Sequence, residues 1–213
     1  MLLLTKLDEI GYGVLEREDL SEMAQVIGEV FSRFDPLGIA TGMTEAELEA
    51  FVLVFGDKAV AEGLTIIARE PTGRLVGAMF SDDFATPLPE LENLPVSFAP
   101  VGALLETLDA DYRSTQTIGV GSHAHLNMLA VLPAFTGMGI AQNLVKICME
   151  NAAKRGYLVA VTEANGPVSQ HIFRKLGFRE QFVVSYQDFR FEDRLVFASI
   201  ESTKGIMLME AEI

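Results

Sequence analysis

Three things are scarce in this 213-residue sequence. The first is cysteine: Cys148 stands alone, so an internal disulfide is excluded and a reducing cytoplasm is the expected compartment. The second is apolar run length. No stretch approaches the ~20 residues needed to span a bilayer, and Met1–Leu4 is too short for a signal-peptide core and is soon followed by charges. The third is positive charge. Sixteen Lys and Arg stand against 30 Asp and Glu, a formal net charge of −14, which repels nucleic acid and anionic membrane. That field favours a cationic substrate such as a protonated amine, but the same acidity also serves solubility alone. Internal repeats and low-complexity tracts are absent as well. Hydrophobic residues are not scarce: at 49% they argue against disorder, and the length suits one domain over residues 1–213.

The chain is organised around His125 to Ala152. An apolar run, His125–Leu132, reads as a strand that Pro133 ends, because proline cannot donate to a sheet ladder. Thr136-Gly137-Met138-Gly139-Ile140-Ala141 is a turn of mostly small residues. A helix follows, with Ile140, Leu144, Ile147 and Cys148 on one stripe, which makes Cys148 a buried structural thiol. Glycines at 137 and 139 let a ligand approach the backbone. The helix start offers unpaired N–H groups and a positive dipole end, suited to phosphate. The spacing fits neither the dinucleotide fingerprint nor the Walker loop.

Elsewhere the patterns are plainer. Gly13–Leu15 belongs to a first strand. A helix begins at Asp19 or Ser21, runs to about Phe34 and is ended by Pro36. Thr44-x-x-Glu47 is a capping box for a second helix. Leu64–Arg69 and Leu75–Ser81 form a hairpin. Thr86 to Pro100, with four prolines, is a long loop, and a helix from about Val101 to Tyr112 follows it. Tyr157–Thr162 is a buried strand, Gly166–Leu176 a helix, and Phe182–Tyr186 and Ile206–Met209 are closing strands. His123, His125 and Asn127 alternate, and so are expected on one strand face.

Strand, proline, glycine turn and helix in this order resemble the coenzyme A loop of the GNAT N-acetyltransferases. That pattern is Arg/Gln-x-x-Gly-x-Gly/Ala after a strand like Leu-Ala-Val-x-Pro. Gly139 and Ala141 take its last two positions. Thr136 departs from the first, which removes a cation from the pyrophosphate site. Glu163–Phe178 resembles the family's second signature, a strand ending near Asn and a helix ending in Lys-Leu-Gly-Phe. The resemblance implies an α/β (α+β) fold, with a mixed, mostly antiparallel central sheet flanked by helices, in which parallel fourth and fifth strands splay apart. A loop and helix at about residues 85–113 then count as an insertion, where substrate walls are usually built. Phe34-Asp35-Pro36-Leu37, that insertion, and Tyr186-x-Asp188-Phe189 with Leu208-Met209 resemble the insect-type arylalkylamine N-acetyltransferase branch.

The resemblance implies transfer of an acetyl group from acetyl-CoA to a small primary amine, arylalkylamine- or polyamine-like, by direct attack. The amine, with a pKa of ~10, must first lose a proton, and the oxyanion must be stabilised. It places the base at Asp35, where the shorter acid needs closer reach or a water relay, and a proton path at His125. The usual tyrosine acid is replaced by Phe173, leaving Ser169 as donor or a thiolate that departs unaided. It places coenzyme A on Leu129, Ala130 and Val131, on Thr136, Gly137, Met138, Gly139, Ile140 and Ala141, and on Asn165, Ser169 and Phe173. No metal is expected: His123 and His125 lack a third ligand. A homodimer is compatible with the sequence but marked by no motif. The departures at Thr136 and Phe173 leave open a second reading, an acyl-CoA-binding sensor or interaction module with impaired catalysis.

Overall fold

The computed structural model describes residues 3–7 by their backbone, and residues 10–87, 89 and 95–213 in full. Met1, Leu2, Asp8 and Glu9, and residues 88 and 90–94 of the proline loop, lie outside the described residues.

Among the described residues, eight strands form one sheet: β1 (Leu3–Leu7), β2 (Ile10–Val14), β3 (Ile66–Arg69), β4 (Leu75–Asp83), β5 (His123–Val131), β6 (Val159–Ala164), β7 (Arg179–Ser185) and β8 (Gly205–Glu212). Their order is β1-β2-β3-β4-β5-β6-β8-β7. Every neighbouring pair is antiparallel except β5 and β6. These two are the fourth and fifth strands of the expected plan, shifted in number because β1 precedes the first strand anticipated from sequence.

The parallel pairing is short. Only His123–His125 pair with Val159–Val161. Beyond that point β5 continues against β4, and β6 against β8. The splay leaves the β6-facing edge of β5 without a ladder from Asn127 to Val131, so its backbone groups need partners from outside the sheet.

Among the described residues, six α-helices cover the sheet: α1 (Leu20–Phe34), α2 (Pro36–Thr41), α3 (Glu45–Glu62), α4 (Ala99–Thr115), α5 (Ile140–Lys154) and α6 (Pro167–Lys175). On one face α5 buries Ile140, Leu144, Ile147 and Cys148 against Val76 and Met79 of β4. On the other, α1 and α3 bury Met23, Ile27, Val52 and Phe55 against Ala78 and Phe80. These helical apolar stripes and alternating strand residues are the periodicities visible in sequence. The two helices sit close, because a Cβ at Gly28 of α1 would meet Glu45 and Glu49 of α3. Helix α4 extends the same layer, packing Leu104, Leu108 and Tyr112 over Val161 and Leu208. The Thr44–Glu47 capping box forms as expected: Thr44 Oγ1 accepts from the Glu47 amide, and Glu47 accepts from the Thr44 amide.

A β-bulge corrects one sequence expectation. Phe80 pairs with Met128 and Ser81 with Leu126, leaving Asn127 as the extra residue. Ala124 and Leu126 pack in the α5 core with Leu129 and Val131, whereas Met128 and Ala130 pack in the α1–α3 core. The bulge inverts the alternation, so the face shared by His123 and His125 does not extend past Asn127 by simple period two.

Candidate active site

The glycine turn lies at the C-terminal end of β5, beside the splay. Gly137 and Gly139 both adopt left-handed φ, 80° and 78°, which suits glycine alone among common residues. Built Cβ atoms there would meet nothing within 4 Å, so the turn faces open space. Gly139 is the N-cap of α5, and Asn143 is the first amide to find its carbonyl, at 3.0 Å. The amides of Ile140, Ala141 and Gln142 therefore point out of the helix start, as an anion-binding site requires. Thr136 Oγ1 is exposed and donates to the Pro133 carbonyl at 2.8 Å. Met138 is also exposed. Leu129, Ala130 and Val131 lie on the splayed part of β5. The described residues thus supply small residues, free amides and an open strand edge, a donor set that fits the diphosphate and amides of coenzyme A.

Asp35 is fixed by the proline after it. A residue before proline avoids the helical region, and Asp35 is extended at φ −78°, ψ 125°. It closes α1 through its amide, which donates to Phe31, and opens α2 as its N-cap. One carboxylate oxygen accepts the Gly38 amide at 2.8 Å. The other accepts the side-chain amide of Asn165, just past the end of β6. Burial pushes the carboxyl up to about 6 despite these bonds. Tyr186 donates to the Asn165 carbonyl at 2.6 Å, holding that strand end from the other side. The Asn165 side chain, expected on pantetheine, is thus engaged by Asp35.

His125 lies inside the sheet layer with both ring nitrogens occupied. Nδ1 meets Asp82 at 3.0 Å and Nε2 meets Glu163 at 2.7 Å. Burial would lower its pKa, but the charges and hydrogen bonds of Glu163 and Asp82 outweigh that and raise it well above the ordinary imidazole value. A carboxylate at each ring nitrogen favours the protonated ring and leaves neither nitrogen open. Asp82 also takes Lys58 Nζ at 2.6 Å, and its carboxyl is held below its ordinary value despite burial. Asp109 of α4 is pushed up to about 6, first by burial and then by the charge of Glu163. None of Asp82, Glu163 and Asp109 was singled out for a role from sequence. The available signal was a lone acid inside an apolar strand, as in Val-Thr-Glu163-Ala, since a charge is almost never buried without a partner.

Strand β6 joins the two groups, offering Glu163 to His125 and then Asn165 to Asp35. Gly166 follows; a Cβ there would approach Pro36 within 3.3 Å. Ser169, in the first turn of α6, donates to the Gly166 carbonyl at 3.0 Å and accepts the Gly166 amide at 3.2 Å. Phe173, expected at the cofactor, is only 2% exposed and stacks edge-on against Phe178 at 4.9 Å, so its ring packs the core. His123 Nδ1 meets Ser122 at 2.7 Å. Among the described residues no three potential ligands cluster as a metal site, and no helix is long and apolar enough to cross a membrane.

The signature of the acetyltransferase (GNAT) family matches residues 43–178, well over half of the chain. No curated protein matches it in sequence. Solved structures do match in fold. Arylalkylamine N-acetyltransferase 2 from Aedes aegypti superposes with a TM-score of 0.82 at 20% identity, over 97% of this chain and 100% of that one. The C-terminal condensation domain of Ebony, solved with beta-alanyl-dopamine, gives 0.88 at 14% identity, over 96% and 99%. Polyamine N-acetyltransferase from Drosophila melanogaster gives 0.70 at 14%, over 96% and 100%. With the signature matched, the parallel strands splayed and the glycine turn capping α5 beside them, the chain belongs to the acetyltransferase (GNAT) family.

Proposed function

We propose that the protein acetylates a small primary amine, with Asp35 as the group that takes the amine's proton. Acetyl-CoA supplies the acetyl group as a thioester. The amides at the start of α5 and the turn of Gly137 and Gly139 would hold its diphosphate. The free edge of β5 at Leu129–Val131 would hold its amides and orient the thioester carbonyl.

The observation that carries the reading is the state of Asp35. A carboxyl raised to about 6 is ionised at neutral pH, yet is a better proton acceptor than an ordinary aspartate. Its two bonds, from Gly38 and Asn165, fix it beside the end of β6. An alkylammonium brought there loses its proton to Asp35, directly or through one water, and the free amine forms the new C–N bond as the C–S bond breaks. His125 is poorly placed for that task, because a carboxylate already occupies each of its nitrogens. Its part is to hold Asp82 and Glu163. Ser169 is tied to Gly166, and Phe173 carries no acid, so the thiol, with a pKa of ~8.5, leaves largely as thiolate. Similar folds act on arylalkylamines and on polyamines, which is consistent with a small amine as acceptor.

Calorimetric titration with acetyl-CoA, followed by thiol-release assays across primary amines, tests the proposal. Micromolar binding with amine-dependent release is expected. Binding without release from any amine would support the sensor reading instead, and absence of binding would remove both.

A further inference from the structure

We propose that Glu163 and Asp109 form a subsite for a second cation on the acceptor, which makes short diamines better substrates than monoamines of the same length. This rests on the acetyltransferase reading above and goes further by naming the acceptor class.

Glu163 stands on the face of β6 covered by α4, two residues from Val161, which packs against Leu104 and Leu108. Its side chain is 6% exposed. One oxygen meets His125, while Oε1 is buried with no hydrogen-bond partner among the described residues. A buried carboxylate oxygen left unpaired is costly, and a charged donor is what best satisfies it. Asp109, on α4, is close enough to feel the charge of Glu163, and its side chain is 34% exposed.

The local charges are also out of balance. Asp82, Glu62, Glu163 and Asp109 make four carboxylates, and Lys58, His125 and Arg113 make three cations. Within this ion-paired group one negative charge is in excess. An ammonium group brings both the missing charge and up to three donors. A neutral aryl or alkyl tail brings neither.

Spacing sets the length of the ligand. Asn165, which holds Asp35, lies two residues beyond Glu163, about 6.6 Å along the strand. An acceptor with its reacting nitrogen at Asp35 therefore reaches Glu163 with a second nitrogen across a short methylene chain.

The test compares kcat/KM for putrescine and n-butylamine, by thiol release at saturating acetyl-CoA, in the unaltered protein and in Glu163→Gln and Asp109→Asn. Putrescine is expected to be favoured by about tenfold or more, and each variant to shrink that preference by about tenfold. Asp109→Asn guards against misfolding of the His125 partner variant, since Asp109 is not hydrogen-bonded to His125. A ratio near one in the unaltered protein, or a preference unmoved in Asp109→Asn, overturns the subsite and leaves the acetyltransferase reading intact. If no amine is turned over, the acetyltransferase reading falls, and calorimetry with putrescine decides the subsite: binding that weakens in Asp109→Asn upholds it, and no binding overturns it.

Discussion

At the residue scale, the proposed chemistry depends on two partly buried ionisable groups, both shifted upward. Burial raises Asp35, which in the proposed mechanism suits it to take a proton, and two carboxylates raise His125. Asp35 must be ionised to act, so kcat/KM is expected to fall as pH drops through about 6. Asp35→Asn should lower kcat by about a hundredfold or more, the usual worth of a general base. For His125 the folded pKa lies above the unfolded one. Its stabilisation is therefore complete below about 6.5, the free imidazole value, and is lost as pH rises through the elevated value. Urea unfolding should become easier as pH is raised above that value, and His125→Gln should flatten the decline. The sequence made Asp35 legible through its Asp-Pro-Leu setting. Its bond to Asn165, across 130 positions, was not, because nothing local encodes a contact between a helix cap and a distant strand end. Glu163 was visible only as an acid in an apolar strand, a sign of a partner without a name for it.

At the element scale, the punctuation residues were the readable part. Pro36 ends α1, Thr44 caps α3, Pro133 ends β5, and Gly177 turns left-handed after α6 at φ 94°. Helix α2 was not anticipated, since six residues are too few to show a helical period. The bulge at Asn127 was hidden too, because a bulge is a property of two paired strands and not of either one. Nor was it evident that β8 would insert between β6 and β7. Two substitutions test this level. Gly205→Ala would drive a Cβ into the Val184 carbonyl on β7, so the closing pair should lose about 1–3 kcal/mol, read as a lower thermal midpoint. Gly139→Ala keeps the open space around the turn but strains its left-handed φ, at a cost of about 1–2 kcal/mol; acetyl-CoA binding should weaken with little loss of the sheet.

At the scale of the whole molecule, a net charge of −14 works against one proposed substrate and for the other. Coenzyme A is an anion that must be held by local amides against the global field, whereas an alkylammonium is drawn in. Added salt screens both effects. Raising ionic strength should therefore raise KM for a cationic amine and lower KM for acetyl-CoA, a divergence that steady-state kinetics at two salt concentrations would reveal. Equal shifts in the same direction would mean that the field plays no part in capture. The charge and its preference for a cationic substrate were evident from composition; the splay of β5 from β6 and the bond between Asp35 and Asn165 were not. The most direct measurement is the pH profile of amine-dependent thiol release in the unaltered protein and in Asp35→Asn. An acid limb near 6 that disappears in the variant, together with most of the rate, is the predicted result. The same limb and a similar rate in both proteins would show that another group takes the proton.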